Sequence, residues 1–569
     1  MQISKKIYTA IFAILCFGPV QGQIQNDPIL TSIKTEVERN KTGLHAGMLE
    51  SPFWISFCFQ QAGNINISAS RGDLISQSVK PDNEGVANIL VGNARLNNNN
   101  FQSSLNFYGG GSIGKTNIES AIKYAIWKQL DPAYKKAAES LERKKMEINQ
   151  QNIPEEEFKT NDWDQSLPTQ YYQVQEDQKI NMDFLSDYCR KASMALCQDP
   201  AILESGFTAD ITQGHYYYYS TDGFMFKLPM RCIKMSGIVE CRTKDGQKMN
   251  ERYCYYFDDI SDLPPIENLC SEIIGYNKLL IEESNAPLIT DSYSGPVLFE
   301  GIAVSDAIRT LFLNKDNGLL AKRKKISQSG KSNYYEGYGM PSREGNSENR
   351  MGQMINKKVA DRRLDFISMT GTPRWNGQKL WGYTPIDAQG VKPDSSLTLI
   401  EDGILMNLLS DRTPTKTNSK SNGHHLFKTG SADSGLGVGV LRLQSSKTIP
   451  GKNLKDSLLA AAKDEGYDFA YIKRGYGHMS GCFLYKVYPD GREEMVRDFS
   501  INDLNQKQFK YLLQIGAEET INNTIIDNSK STIIAPYGLI FKELEIVRNN
   551  NIKLNLPFIV PRPERKDKK

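Results

Sequence analysis

The chain has 569 residues, 39% of them hydrophobic and 10% aromatic, and a formal net charge of +3. That length exceeds what one hydrophobic core supports, so two or three domains are expected. The composition excludes a disordered or fibrous chain, and the small charge gives no argument for nucleic acid or an anionic membrane as a partner.

At the N-terminus, Met1-Gln2-Ile3-Ser4-Lys5-Lys6 precedes an apolar run from Ile7 to Phe17. Val20-Gln21-Gly22 then offers small or apolar residues at the −3 and −1 positions. This is a signal-peptide pattern over residues 1–22, cut after Gly22, and its apolar run is too short to anchor the chain in a bilayer. Cys16 follows the bulky Leu15, which argues against lipoprotein anchoring. An exported, periplasmic protein without a membrane span is expected. Six cysteines cluster at 189, 197, 232, 241, 254 and 270. In an exported chain they are compatible with buried thiols or with one to three bridges, and no CxxC supports a zinc ribbon.

Trp54–Phe59, Ile65–Ser70, Leu74–Val79 and Val86–Val91 read as four strands separated by Gly, Asn or Pro. Ile118, Ile122, Ala125 and Leu130 recur at helical spacing, and Asp131-Pro132 reads as the N-cap and first residue of a second helix reaching about Asn149. Residues 150–185 are polar and read as an insertion. Ser220-Thr221-Asp222-Gly223 joins two strands as a hairpin. The two halves meet near Asn285-Ala286-Pro287, giving an N-terminal domain over 23–286 and a C-terminal one over 287–560.

In the second half, residues 296–313 (PVLFEGIAVSDAIRTLFL) read as an apolar strand entering an amphipathic helix. The basic run Ala321–Lys325 reads as a solvated loop. Leu397–Ile400, the turn Glu401-Asp402-Gly403 and Ile404–Leu409 make a hairpin. A helix capped by Asn453 buries Leu454, Leu458 and Ala462 and stops near Gly466. Strands follow at Phe469–Ile472, Phe483–Val487 and Gly538–Ile546, before a basic tail at 561–569. Strands in runs with few βαβ alternations indicate an α+β protein of two domains.

Gly109–Thr116 matches GxxxxGK[ST] letter for letter. A phosphate loop needs a buried parallel strand before it, and Gln102–Tyr108 is half polar, so the match reads as a flexible Gly-rich loop. Arg71-Gly72-Asp73 reads as turn chemistry. A strict GxSxG is absent, although Gly430-Ser431-Ala432-Asp433-Ser434-Gly435 approaches it. Five histidines occur, none in HExxH or HExxxH. His424-His425 follows Ser421-Asn422-Gly423, and Gly477-His478-Met479-Ser480-Gly481-Cys482 spaces His and Cys four apart. Zinc usually takes three or four protein ligands, and these pairs are unlinked, so polar loop histidines are the favoured reading over a metal.

Several segments together resemble the TldD/TldE (PmbA) family of metallopeptidases, also called modulators of DNA gyrase. They are Ile67–Asp73 and Ile89–Asn93, Ala125-Ile126-Trp127 with Asp131–Ala137, Gly295–Gly301, Ile400–Leu405, Ser410–Pro414 with Ser421–His424, and Ile534-Ala535-Pro536 with Phe541–Leu544. They run in the family's order over most of the chain. The resemblance implies an N-terminal α/β domain, a strand-rich C-terminal domain around a substrate cavity, peptide substrates, and pairing either with itself or with a TldD-like catalytic chain. In catalytic members two His and a Glu on the helix, with a Cys near the C-terminus, hold zinc. Here Arg309, Thr310 and Asn314 stand around those positions and no Cys follows Cys482, so no catalytic residue is carried over.

The expectation is therefore an exported, catalytically silent TldE-like subunit without its own cofactor, zinc belonging to the catalytic partner. The alternatives are an active metallopeptidase with a relocated metal site built from His424, His425, His478 or Cys482, and a non-enzymatic periplasmic binding or scaffold protein.

Overall fold

The computed structural model of the chain describes residues 24, 26–102, 108–113, 119–157, 159–290, 292–314, 318–327, 350–502 and 504–549. The expected signal peptide at 1–22, residues 328–349 and the tail at 561–569 lie outside the described residues.

Long antiparallel strands organise the first half. Helix α1 (Pro28–Gly43) starts at Asp27, whose carboxylate accepts from the backbone N–H groups of Ile29 and Leu30. Strands β1 (Pro52–Ser70) and β2 (Asp73–Val91) form one hairpin closed by Arg71-Gly72, with φ of 54° and 85°, the geometry of a two-residue I′ turn. The four strands read from the sequence are thus two. β1 is laddered on both edges, to β2 and to the later strand at Glu204–Ser220, and these bonds carry the chain through Gly63, Asn64 and Pro81, which pattern alone treats as breaks.

Strand β3 (Tyr108–Ser112) pairs antiparallel with β2. The first residues of the GxxxxGK[ST] match therefore lie in a sheet ladder and not in a loose loop, while Gly114, Lys115 and Thr116 fall outside the described residues. Helix α2 runs unbroken from Glu119 to Gln150 with Pro132 inside it, so Asp131-Pro132 does not begin a new helix. The proline removes one backbone hydrogen bond. The buried stripe Ile126, Leu130, Ala133, Tyr134 and Leu141 nevertheless holds both sides of the proline against one core.

Strands β4 (Gln170–Tyr172), β5 (Glu204–Ser220), β6 (Met225–Arg242) and β7 (Lys248–Phe257) complete a seven-stranded sheet of order β3-β2-β1-β5-β6-β4, with β7 also on β6. Helices α3 (Met182–Leu196) and α4 (Ile266–Asn285) pack together beside this sheet. The polar stretch 150–185 is not simply a solvated insertion. Asp162, Trp163 and Asp164 within it are buried, and Lys144 donates to Asp162 across a fully buried ion pair of 2.5 Å. Arg323 of the basic run turns inward to the same carboxylate at 3.0 Å, so only part of that run is solvated.

The second half is built on two further sheets. One has the order β11-β10-β9-β14-β21-β20, from β9 (Leu364–Ser368), β10 (Leu397–Glu401), β11 (Ile404–Leu405), β14 (Val440–Ser445), β20 (Glu519–Ile526) and β21 (Ser529–Pro536); the pair β12 (His425–Phe427) and β13 (Ser434–Leu436) stands apart. The other has the order β17-β16-β15-β8-β22-β18, from β8 (Tyr293–Gly301), β15 (Ala470–Gly475), β16 (Cys482–Val487), β17 (Glu493–Val496), β18 (Phe499–Ile501) and β22 (Gly538–Arg548), with β19 (Leu512–Ile515) also on β22. Asp402 and Gly403, at φ 48° and 73°, make the two-residue turn between β10 and β11. Helix α5 (Ile302–Phe312) follows β8, and Phe299, Phe312, Phe366, Phe509 and Phe541 pack ring to ring in the largest core. Helix α6 (Leu454–Asp464) buries Leu454, Leu458 and Ala462 as expected. Asn453 gives it no side-chain cap, because a 3-10 turn over Gly451–Asn453 leads into it. The eight cysteines of the described residues are free thiols, five of them buried.

Candidate functional site

The junction of β8 and α5 is where the resemblance places the metal-binding helix. Gly301 turns the strand into the helix at φ 62°, and a Cβ there would lie 2.4 Å from the carbonyl oxygen of Gly475, so only glycine fits. Ala303, Ala307, Ile308 and Leu311 of α5 are buried, which matches the inward stripe read from the sequence. Arg309 and Thr310 point to solvent. Arg309 pairs with Asp306 on its own helix at 2.6 Å, and the Asn314 side chain donates to the Thr310 carbonyl. Arg309 and Thr310 therefore lie on the outer face of α5.

The inward polar group at the junction is Glu300. Parallel pairing of β15 with β8 sets Arg474 opposite it, and Arg474 Nε donates to Glu300 Oε2 at 2.6 Å. Arg474 Nη1 also donates to Glu493 Oε2 at 2.9 Å, and Lys455 Nζ reaches Glu493 Oε1 at 2.8 Å. Burial opposes the guanidinium's charge, but the hydrogen bond to Glu493 and the charge of Glu300 outweigh it and hold Arg474 above its ordinary range. A cation is thus already supplied here by the chain itself. The junction does not fit zinc: its inward carboxylate Glu300 is committed to arginine, Ser305 is the buried polar residue of α5, and the Cys482 thiol beside Gly475 is short of the three or four ligands zinc takes.

A second polar cluster lies on the loops around β12 and β13. His424 is buried, with Nε2 2.8 Å from Ser368 Oγ and 3.0 Å from Thr370 Oγ1, and Nδ1 2.8 Å from Asn422 Oδ1. Burial pushes its pKa down to about 4, so the ring is neutral at pH 7. With Asn422 Oδ1 accepting from Nδ1–H, Nε2 accepts from the hydroxyls. His425 Nδ1 lies 2.9 Å from Asp411 Oδ2, and its Nε2 lies 3.1 Å from Ser434 Oγ. The backbone N–H of His425 donates to Asp387 Oδ2, and burial raises the Asp387 pKa to about 6.

Arg412 straps this region to the first half. It is fully buried, donates to the Asp164 carbonyl at 2.8 Å and to Asp222 Oδ2 at 2.5 Å, and lies over the rings of Trp163 and Phe224 at 4.7 Å and 4.6 Å. Tyr216 stacks flat on Phe427 at 3.8 Å nearby.

Of the remaining sequence candidates, His478 stands apart from both clusters, while Cys482 lies beside the junction. His478 packs on Tyr255, its carbonyl accepts from Cys254 N, and burial lowers its pKa. Cys482 opens β16 opposite Gly475, and burial pushes its thiol up to about 11. His424, His478 and Cys482 thus occupy three separate environments. Among the described residues no three His, Cys, Asp or Glu side chains group closely enough to hold a metal ion.

Residues 342–546 match the PmbA/TldA metallopeptidase C-terminal domain. The chain carries a PmbA/TldD-type domain over that stretch. Its fold is that of three solved family structures. A putative modulator of DNA gyrase from Thermotoga maritima is 12% identical, with a TM-score of 0.54 over 91% of this chain and 99% of that one. TldE from Thermococcus kodakarensis is 12% identical, with 0.53 over 90% and 99%. A putative modulator of DNA gyrase from Bacteroides thetaiotaomicron is 11% identical, with 0.55 over 92% and 99%. No curated protein matches the chain by sequence.

Within the PmbA/TldD frame, reading the sequence located the junction but not the partner of Glu300. Arg474 lies 174 residues away in sequence, and only the register of two parallel strands brings it there. The Asp411, His425 and Ser434 grouping was equally hidden, although its parts lie close together in sequence, the last two on the paired strands β12 and β13. The near miss to GxSxG at Gly430–Gly435 was the signal that could have pointed to it.

Proposed function

We propose that this chain is the metal-free, non-catalytic subunit of an exported TldD/TldE-type complex that processes peptides beside a zinc-bearing TldD-like chain. One observation carries the reading: the inward carboxylate at the strand-to-helix junction is neutralised by Arg474, whose positive charge opposes a divalent cation at the same place. The fold shared with a TldE supports the assignment to the non-catalytic side of such a pair. The signal-peptide pattern at 1–22 supports export, and no helix among the described residues is long and apolar enough to cross a membrane.

The test is co-expression with a TldD-like chain carrying HExxxH from the same cell, followed by purification, metal analysis and peptide hydrolysis. A stable complex with zinc only in the partner, and chelator-sensitive peptide hydrolysis only when both chains are present, is the expected result. Stoichiometric zinc and chelator-sensitive peptide hydrolysis by this chain alone would overturn the reading.

A further inference from the structure

We propose that Asp411, His425 and Ser434 form a serine-nucleophile site for acyl transfer, acting on carboxylic esters or amides and independent of any metal. The Asp411 carboxylate accepts from His425 Nδ1 at 2.9 Å, and His425 Nε2 faces Ser434 Oγ at 3.1 Å. That order defines the tautomer: with the proton held on Nδ1 by the carboxylate, Nε2 carries the lone pair and the serine hydroxyl donates to it. A carboxylate, an imidazole and a hydroxyl in hydrogen-bonded series are what activate a serine that is otherwise a weak nucleophile.

The three groups are held from several directions, as a reacting constellation requires. Asp411 Oδ1 accepts from Thr413 N, which aims Oδ2 at the ring. Asp387 fixes the backbone of His425, and its other oxygen accepts from Gln389 N and Val391 N. The β12–β13 pairing sets Ser434 beside Phe427 and Leu436 beside His425. The connecting loop is bolted to the first sheet, with Glu84 accepting from Ser431 Oγ and Ala432 N. His425 and Asp411 keep 18% and 12% side-chain exposure and Ser434 is partly exposed, so a substrate can reach them. The neighbouring His424, by contrast, is sealed and has both ring nitrogens engaged. Lys428 Nζ comes within 3.6 Å of where a Gly435 Cβ would sit.

In the first step Ser434 Oγ bonds to the carbonyl carbon and its proton passes to His425 Nε2. The bond from that carbon to the alcohol or amine breaks, and His425 returns the proton to the leaving group. Water, deprotonated by the same nitrogen, then releases the acid and restores the serine.

The proposal goes beyond the metal-free reading and uses none of the junction residues, so either can fail alone. The experiment treats the purified full chain with a fluorophosphonate, which phosphonylates activated serines, and locates the adduct by peptide mass spectrometry. A single adduct on Ser434 is expected. Ser434→Ala abolishes it with the melting temperature unchanged, and His425→Gln slows it on the order of 100-fold or more. Hydrolysis of a p-nitrophenyl ester follows the same order of variants. Should His425→Gln fail to fold, Asp411→Asn, which keeps a hydrogen-bond acceptor for the ring, gives the second reading and must also slow labelling. No adduct on the folded chain, an adduct at another serine, or labelling that survives Ser434→Ala would overturn the proposal.

Discussion

The strand-to-helix junction and the loop cluster are both polar clusters of the same half, yet they are finished differently. At the junction every inward charge has a partner: Glu300 and Glu493 share Arg474, and Lys455 closes the chain of charges. In the loop cluster His424 is closed off in the same way, but His425 leaves a basic nitrogen opposite a hydroxyl that is still open to solvent. Complete pairing makes a scaffold, because a committed charge has little left to offer a ligand. A partly exposed proton acceptor held in place is what chemistry requires. The two clusters thus differ in what they leave free: the junction's charges are spent on one another, and the Asp411, His425 and Ser434 series keeps a solvent-accessible end.

The contrast breaks most severely at Arg412. Arg412→Ala removes a buried cation from between Trp163 and Phe224 and unstraps the loop cluster from the first half. A loss of about 4 kcal/mol is expected, read as a fall in the urea midpoint with earlier proteolysis in 150–185. Arg474→Met leaves Glu300 and Glu493 facing each other without their cation. About 3 kcal/mol of destabilisation is expected, and Glu300→Gln added to it should recover a measurable part, since the junction's charges act as one network.

His424 sharpens the comparison through pH. Its folded pKa of about 4 lies below the ordinary 6.5, so between these values the unfolded chain binds the proton more readily. The stability it contributes is complete above pH 6.5 and is lost as pH falls toward 4, on the order of 3 kcal/mol. Asp387 works the other way: its folded pKa of about 6 is raised from 3.8, so it favours folding below pH 3.8 and costs stability as pH rises through 6. Comparing His424→Asn with the parent chain over pH 4 to 7 isolates the histidine: the variant's melting temperature should fall less steeply below pH 6.5. The smallest effect belongs to Arg309, whose pair with Asp306 is exposed. Arg309→Ala should change stability by less than about 0.5 kcal/mol, and a larger change would mean that the outer face of α5 is covered in the working protein.

The helix after Gly301, the hairpin at Asp402-Gly403 and the Arg71-Gly72 turn were legible because each is written in neighbouring residues: an apolar stripe at helical spacing, or a glycine where φ must be positive. The helix break expected at Pro132 and the strand breaks expected at Gly63 and Pro81 failed for one reason. Local propensities of about 1 to 3 kcal/mol yield when a continuous core or a doubly paired strand supports the chain on both sides. The inward turn of Arg323 and the burial of Asp162 inside a polar stretch failed similarly, since a charge can be buried once its partner arrives from elsewhere.

By itself the sequence determined the mixed α+β class, the family resemblance and the place where the metal motif would have stood. Those features depend on short-range patterns and on motif order. Tertiary structure alone decided that Glu300 meets Arg474, that His424 is sealed, and that His425 bridges Asp411 and Ser434. Each of these needs side chains from separate elements to come within about 3 Å, a distance set by strand register and loop packing and not by spacing along the chain.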